Sequence, residues 1–322
     1  MALGEFDLIK RFFAQVSEAS SDASVALGVG DDCALLDLQQ NQQLAVSIDT
    51  MVEGTHFLPG TPADLIASRL LGAAISDLAA MGATPAWLTL ALTLPGVDIE
   101  WLEAFSQRLA ELCREHSIAL IGGDTTRGPL TLSAQVHGFV PTGQALCRGG
   151  ATSGDLICVS GSLGDSRGGL EGLLSGFECE THAEYLLDRF YSPQPRLILG
   201  QSLIGKASSC IDLSDGLLSD LAHILMASQG YGARLQLEAL PISEQLLATF
   251  GEEQARQWAL TGGEDFELCF TIPADKLPLL ADLPVAVSVI GKVTDEPGIQ
   301  LFLRGESCQI SGTGYDHFMQ NS

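Results

Sequence analysis

Six aspartates stand where apolar runs of the chain end, and strand ends are where α/β folds assemble their sites. They are Asp31, Asp32, Asp49, Asp124, Asp212 and Asp215. Carboxylate oxygens are the ligands that Mg²⁺ prefers. Any one of these residues also fits an ordinary turn or cap, because aspartate is common there. As a set, they predict a magnesium site at the strand ends.

A seventh aspartate, Asp77, lies on the predicted helix 62–81. It follows Ile66 by eleven residues, about three helical turns, so it falls on the same stripe as Leu70 and Ala74. A charged carboxylate on a core-facing stripe is unfavourable unless it is paired or bound to a metal. The alternative is that this end of the helix is open to solvent. With few basic residues available for pairing, the sequence favours a metal ligand.

The elements that must position these aspartates follow from hydrophobic spacing and turn residues. In the first half the sequence predicts helices over 5–16, 62–81 and 98–116, and strands over 44–48, 87–94, 118–121 and 130–140. We expect the first of these strands to stop at Asp49 and the second helix to stop at Gly82.

In the second half the sequence predicts a strand over 155–160, a short strand that ends at Asp212, and further strands near 233–238, 266–272, 285–290 and 298–303. It predicts helices between the first strand and about residue 205, and another helix that begins at Gly216. Mixed strands and helices in two comparable halves predict two α/β (α+β) sandwich domains. The segment 141–153 is rich in glycine, threonine and serine, so we place the boundary there, with domains 1–145 and 146–322.

The composition restricts the partners. The 322 residues include 40 Asp and Glu against 16 Lys and Arg, a formal net charge of −24. This acidity argues against nucleic acid or an anionic membrane as a partner, because both are bound through Lys and Arg. Hydrophobic residues make up 46% and charged residues 17%, which is typical of a chain with a large core. Because basic residues are so few, we expect a phosphorylated ligand to be bound through metal cations.

The eight cysteines show no C-x-x-C spacing, and the first residues carry acids rather than a basic targeting segment. Free thiols in a reducing compartment are the better interpretation, and we expect a cytoplasmic protein. The uncharged stretch Met81–Val97 is broken by Pro85, Pro95 and Gly96, and its apolar centre is too short to span a bilayer.

Three motifs resemble sites of other kinds. The segment 200–207 fits a phosphate-binding loop except at its last position, but it also continues an apolar helix. Gly28-Val-Gly30 resembles a dinucleotide turn, yet Cys33 follows where a small residue belongs. Residues 164–168 fit the G-x-S-x-G elbow of a hydrolase without an obvious oxyanion loop. None of the three explains the aspartates.

Taken in order, the motifs of this chain resemble the thiamine-monophosphate kinase family over nearly its whole length. They are Gly4-Glu-Phe, Gly28-Val-Gly-Asp-Asp32, Ser47-Ile-Asp49, Glu53-Gly-Thr-His56-Phe, Ser76-Asp77-Leu-Ala-Ala-Met-Gly, Gly122-Gly-Asp124-Thr, Arg148-Gly-Gly-Ala, Ser160-Gly-Ser-Leu-Gly-Asp-Ser, Asp212-Leu-Ser214-Asp215-Gly, Gly262-Gly-Glu264-Asp265-Phe and Gly314-Tyr315-Asp-His-Phe318. The wider superfamily is that of aminoimidazole ribonucleotide synthetase.

The resemblance implies a kinase that transfers phosphate from ATP to thiamine monophosphate, directly and in line. It implies a homodimer whose N-terminal sheets form a barrel across the interface, with ATP and several Mg²⁺ ions between the two domains of each subunit. Carried over by position, the magnesium ligands are Asp32, Ser47, Asp49, Asp77, Asp124, Asp212 and Asp215. The ATP contacts are Gly123, Asp124, Arg148 and Ser214, and the thiamine phosphate contacts are His56, Glu264 and Tyr315.

Two residues depart from the family pattern, and two other functions stay open. Ile48 stands where relatives often have Thr, so it can offer only its backbone, and Ser106 replaces a Tyr that lies near the nucleotide in some relatives. Another ATP-using enzyme of the superfamily is one alternative. Selenophosphate synthetase would need an early reactive Cys, and the hydrogenase-maturation dehydratase a C-terminal Cys. A non-catalytic Mg-nucleotide-binding protein is the other alternative.

Overall fold

The computed structural model describes residues 5–19, 22–29, 33–280 and 285–308. Its chain divides into two compact units. The first contains the described residues up to Leu78 together with Ala83–Gly143, and the second contains Ala79–Gly82 and the described residues from Gln144 onwards.

The first unit begins with helical turns and a small sheet. Helices α1 (Glu5–Leu8) and α2 (Ala14–Ala19) are joined by a π-helical turn over Ile9–Phe13, which confirms the predicted helix. The spacing of Phe13 and Val16 explains it, since both side chains are buried. Strands β1 (Val25–Leu27) and β2 (Leu35–Leu36) then pair antiparallel.

A four-stranded sheet forms the body of the first unit. Its strands are β3 (Gln42–Val52), β4 (Thr84–Leu94), β5 (Ala119–Arg127) and β6 (Thr131–Pro141), in the order β3-β6-β4-β5. The pair β4 and β5 is parallel, and the other two pairs are antiparallel. Two helices complete the unit, α3 (Ala63–Ala80) and α4 (Ile99–Glu115). Gly82 adopts a φ of 69° just after α3, as expected of a helix stop.

Two predicted strand ends in this sheet are wrong. Strand β3 does not stop at Asp49 but continues to Val52, because all eleven of its residues pair with β6. Strand β5 likewise does not end at 121 but runs to Arg127, beside β4. Asp49 and Asp124 therefore lie inside strands rather than beyond their ends.

The second unit is built on a seven-stranded sheet in the order β13-β12-β9-β11-β7-β10-β8. Its strands are β7 (Leu156–Ser160), β8 (Ser209–Asp212), β9 (Gly232–Gln236), β10 (Leu268–Ile272), β11 (Val287–Thr294), β12 (Gly298–Leu303) and β13 (Glu306–Cys308). Its helices are α5 (Asp165–Ser175), α6 (Glu180–Tyr191), α7 (Leu197–Leu203), α8 (Leu217–Ala227) and α9 (Glu244–Thr261). The pair β9 and β12 is parallel, so the sheet is mixed, as the α/β prediction requires.

Other features agree with the sequence. The first half of the segment that resembles a phosphate-binding loop, residues 200–203, lies in helix α7, and a Cβ on its Gly200 would lie 1.9 Å from the Ala79 carbonyl oxygen. All eight cysteines fall within the described ranges and are free thiols. Within those ranges, no helix has the length and apolar character needed to cross a membrane.

Candidate functional site

Ser47, Asp49 and Asp77 come together in the first unit. Ser47 and Asp49 alternate along β3, and the Ser47 hydroxyl donates a hydrogen bond to the Asp77 carboxylate on α3. Burial and then the negative charge of Asp77 raise the pKa of Asp49 to about 6. A cation between the two carboxylates would relieve this repulsion, because an opposite charge favours the ionised form.

The predicted helix stripe on α3 is confirmed. Ile66, Leu70 and Ala74 are buried, and Asp77 on the same stripe is half-buried. In the described part of the chain, however, no three His, Cys, Asp or Glu side chains gather as a metal-binding group. The structure thus brings together two carboxylates and one hydroxyl of the predicted ligand set.

Two strands, β6 and β4, lie between Asp49 on β3 and the residues Gly123 and Asp124 on β5. Across the sheet, Asp49 is level with Ala134, Leu90 and Gly123, whereas Asp124 is level with Ala91 in the next row. A Cβ at position 123 would lie 2.0 Å from the Leu90 carbonyl oxygen, so only glycine fits there. Asp124 is exposed to solvent.

His56 lies in the loop that follows β3. Its ring Nδ1 accepts a hydrogen bond from the Val52 N–H at 3.1 Å, so the neutral ring carries its proton on Nε2. Its carbonyl oxygen accepts a hydrogen bond from Arg69 Nε at 3.0 Å. Arg69 on α3 is completely buried, and the sequence did not single it out. The loop is therefore fixed from both sides.

In the second unit, Asp212 ends strand β8 as predicted, and Ser214 and Asp215 lie in the loop 213–216 beyond it. A buried side chain holds this loop, since Asp220 of α8 accepts hydrogen bonds from the N–H groups of Asp215 and Gly216, each at 3.1 Å. Burial and then the charge of Asp215 raise the pKa of Asp220 to about 7. Asp220 was missed because its spacing fits an ordinary helix.

Glu264 lies in the loop 262–267, which leads into β10. Glu264 and Phe266 both have positive φ angles, 68° and 50°. Left-handed backbone at a residue other than glycine is unfavourable by about 1–2 kcal/mol and persists only where the surroundings enforce it. Here the N–H groups of Glu264 and Phe266 donate to the carbonyl oxygens of Ser214 and Leu213, at 2.7 and 2.9 Å.

A buried ionic network lies beneath these loops. Glu267 is fully buried and accepts hydrogen bonds from Arg189 at 2.7 Å, Arg196 at 2.7 Å and the Ser160 hydroxyl at 2.5 Å. Burial alone would raise the pKa of Glu267, but the hydrogen bond of Arg196 and the charge of Arg189 hold it below its usual value. The partners lie 71 to 107 residues from Glu267, so spacing along the sequence could not reveal them.

Arg148 is not close to the loop 213–216 along the backbone. Its neighbour Gly149 packs against the Ala227 carbonyl oxygen at the last turn of α8, whereas the loop precedes the first turn. The carbonyl oxygen of its other neighbour, Cys147, accepts a hydrogen bond from the Cys210 N–H at 2.8 Å, so three strand residues, about 10 Å, lie between this contact and the loop. Arg148 itself is exposed.

The remaining candidates of the sequence analysis are Asp32, Tyr315, Ile48 and Ser106. Asp32 and Tyr315 lie outside the described residues. Ile48 is 61% exposed on β3, between Ser47 and Asp49. Ser106 is nearly buried on α4, donates a hydrogen bond to the Glu103 carbonyl oxygen at 3.3 Å, and lines a groove of about 550 Å³ next to Phe12.

Two families match most of the chain. The family described as AIR synthase related protein, N-terminal domain, matches residues 30–140, and the corresponding C-terminal domain matches residues 152–304. Together they support the two-domain α/β fold.

Curated relatives match over their full length. The thiamine-monophosphate kinase of Escherichia coli K12 is 51% identical over 326 residues, which cover 99% of both chains. The enzyme of the same name from Haemophilus influenzae is 48% identical over 330 residues and 100% of both chains.

Solved structures agree with these relatives. The crystal structure of thiamine-monophosphate kinase from Stenotrophomonas maltophilia K279a is 43% identical, has a TM-score of 0.85, and covers 96% of this chain and 99% of its own. AaThiL complexed with AMPPCP and TMP is 29% identical, has a TM-score of 0.78 and covers 99% of both chains.

Proposed function

Because this chain belongs to the thiamine-monophosphate kinase family, its activity is the ATP-dependent phosphorylation of thiamine monophosphate to thiamine diphosphate, and we propose that several Mg²⁺ ions assist a direct in-line transfer. The match to these relatives over their full length is the evidence for the activity. The facing carboxylates of Asp49 and Asp77 are the observation that carries the metal proposal.

The proposed ligands suit a hard cation, since they are carboxylates and one hydroxyl. They are Asp32, Ser47, Asp49, Asp77, Asp124, Asp212 and Asp215. When bound, the ions would neutralise the charge of the transferring phosphoryl group. In a protein of net charge −24, aspartates without cations would instead repel ATP.

We assign the nucleotide to Gly123, Asp124, Arg148 and Ser214. Gly123 supports this assignment because it is exposed and has no side chain, so a ligand can approach its backbone. The loop that carries Ser214 is held in one conformation by Asp220, which favours a preformed contact. Arg148 supplies an exposed positive charge for a phosphate.

We assign thiamine phosphate to His56, Glu264 and Tyr315. The neutral ring of His56 carries its proton on Nε2, and such an N–H group suits a phosphate oxygen. Glu264 would accept a hydrogen bond from the aminopyrimidine or face the cationic thiazolium, and Tyr315 would offer an aromatic face. The attacking phosphate oxygen is largely deprotonated near pH 7, so the reaction needs no general base.

The direct test is to mix the purified protein with Mg-ATP and thiamine monophosphate and to follow thiamine diphosphate and ADP. We expect both products in equal amounts. ATP binding without either product would favour the non-catalytic alternative. Turnover of ATP without thiamine diphosphate would favour another enzyme of the superfamily.

We also propose that residues 1–145 bind Mg-ATP and form a homodimer, that residues 146–322 add nucleotide and substrate contacts, and that the enzyme works in the cytoplasm. Strand β3 supports the dimer, because it is an edge strand whose Leu44, Val46 and Ile48 are 42%, 51% and 61% exposed. Sedimentation of the wild type and of Val46→Glu tests it. We expect a dimer that Val46→Glu weakens.

A further inference from the structure

Three loops of the second unit lie at the same end of its seven-stranded sheet, where strands β7 and β8 end and β10 begins. They are the loop 161–164 after β7, the loop 213–216 after β8 and the loop 262–267 before β10. Strand β10 runs antiparallel to both β7 and β8, so its beginning lies beside their ends. Ser214, proposed to contact ATP, and Glu264, proposed to contact thiamine phosphate, therefore lie on neighbouring loops.

The last two of these loops are in close backbone contact. Besides the two hydrogen bonds that Glu264 and Phe266 donate, a Cβ on Gly263 would lie 2.5 Å from the Ser214 carbonyl oxygen. Neither loop can shift by much without the other, because the contact leaves no space for adjustment.

Asp265 connects this pair to the first loop. Its carboxylate is 3% exposed and accepts hydrogen bonds from the N–H groups of Gly164 at 2.6 Å and Ser166 at 3.2 Å. These groups belong to the N-terminus of α5, where a carboxylate is favourable. Asp265 stands between Glu264 and Phe266, the two residues with positive φ angles, so its anchor fixes the strained part of the loop.

We propose that Asp265 is a positioning residue for the acceptor substrate: by binding the N-terminus of α5 it fixes the backbone of Glu264 in the orientation that contacts thiamine phosphate. This inference rests on the proposed assignment of Glu264. Asp220 has the corresponding place on the other loop, since it holds the N–H groups of Asp215 and Gly216 next to Ser214. Asp265 thus supports the loop proposed to contact thiamine phosphate, and Asp220 supports the loop proposed to contact ATP.

The test is the separate measurement of KM for each substrate in Asp265→Asn and Asp220→Asn. The amide can accept only one of the two hydrogen bonds made by Asp265. We expect Asp265→Asn to raise the KM for thiamine monophosphate about tenfold and the KM for ATP less than about twofold, because losing a supporting group commonly reduces affinity 10- to 100-fold. Asp220→Asn should show the opposite pattern.

Asp155→Asn is the matched control. Asp155 is also buried and also accepts a backbone N–H, from Thr152 at 3.0 Å, but it lies at the other end of β7. It should lower the unfolding temperature and leave both KM values unchanged. If Asp265→Asn does the same, or raises both KM values equally, the positioning role is wrong.

Glu264→Ala, which removes both the charge and the acceptor oxygens, separates the two hypotheses. If it leaves the KM for thiamine monophosphate unchanged, the proposed acceptor assignment fails. If it raises that KM while Asp265→Asn does not, only the positioning role fails. Should Asp265→Asn not fold, Asp265→Ser is measured in its place, because its hydroxyl can still accept one of the two hydrogen bonds, and the same KM values decide.

Discussion

The two units hold their aspartates in different ways. In the first unit, Asp49 lies inside a strand and faces Asp77 on a helix, so two like charges stand close together. In the second unit, Asp215 lies in a loop whose N–H groups are bound by the buried Asp220. Like charges stand close together in both, since Asp215 also raises the pKa of Asp220, but only in the second unit does the buried carboxylate accept backbone hydrogen bonds that hold the loop.

This difference indicates what each unit contributes. Repulsion between carboxylates is relieved by a cation, so the first unit should respond strongly to metal. A loop fixed by backbone hydrogen bonds is already close to its working shape, so the second unit should respond mainly to changes in its supporting residues. The predictions below test this division, beginning with the largest expected effect.

Removal of metal should have the largest effect. In excess chelator we expect no turnover and a rise in the Kd for ATP of about 100-fold or more, because uncompensated aspartates repel the triphosphate. Calorimetric titration of ATP with and without Mg²⁺ measures this. An ATP affinity that chelator leaves unchanged would show that the aspartates do not act through metal.

Asp77→Asn comes next. It should lower kcat by about 100- to 1,000-fold, the loss usual for one group that stabilises transition-state charge. The fold should survive, since the substitution removes a like charge next to Asp49 and leaves an oxygen for the Ser47 hydrogen bond. Steady-state kinetics and thermal unfolding in chelator measure both effects.

Asp64→Asn, at an exposed position on the same helix, is the control and should change neither. Retention of most activity by Asp77→Asn would make Asp77 structural.

The sequence predicted the helices and the strand-end loop of the second unit well. The spacing of Ile66, Leu70 and Ala74 identified the buried face of α3 and placed Asp77 on it. The apolar run before Asp212 marked the end of β8 correctly. In both cases the signal is local, because a helical stripe or a short buried strand is set by neighbouring residues.

The sequence failed where distant pairing decides. Strand β3 passes through Asp49 because β6 pairs with it residue by residue, and tertiary pairing overrides the local preference of aspartate for a turn. The support of Asp265 by Gly164 joins residues 101 apart, so spacing could not show it. The motif Gly262-Gly-Glu264-Asp265-Phe contains both residues, but it does not indicate that Asp265 is buried whereas Glu264 is proposed to contact the substrate.

Tyr315→Ala should have a moderate effect on one substrate. If its ring faces the thiazolium, loss of a cation–π contact should raise the KM for thiamine monophosphate about 3- to 30-fold and leave the KM for ATP nearly unchanged. Tyr315→Phe keeps the aromatic face and is the matched control. Equal increases for both substrates in Tyr315→Ala would indicate a general structural role instead.

The smallest effect concerns the pH dependence of stability. Burial raises the pKa of Asp49 to about 6 and that of Asp265 to about 8, and in each case the folded state binds the proton more tightly than the unfolded state. The contribution of these two groups to stability is therefore greatest at low pH and falls as the pH rises, from about 4 to 6 for Asp49 and from about 4 to 8 for Asp265. Each group can contribute at most about 1.4 kcal/mol per pH unit.

The interval from pH 7 to 8 isolates the second unit. It lies above the range of His116 and His137, whose pKa values burial lowers, and above that of Asp49. Denaturant unfolding in chelator should show the free energy of unfolding falling across this interval in the wild type and falling less in Asp265→Asn, where Asp220, with a pKa of about 7, accounts for the remaining slope. Saturating Mg²⁺ should restore the stability lost through Asp49 but not that lost through Asp265, which faces Asp165, Arg189 and the N–H groups of α5. An equal recovery of both would mean that metal also reaches the buried loop, and the division between the two units would not hold.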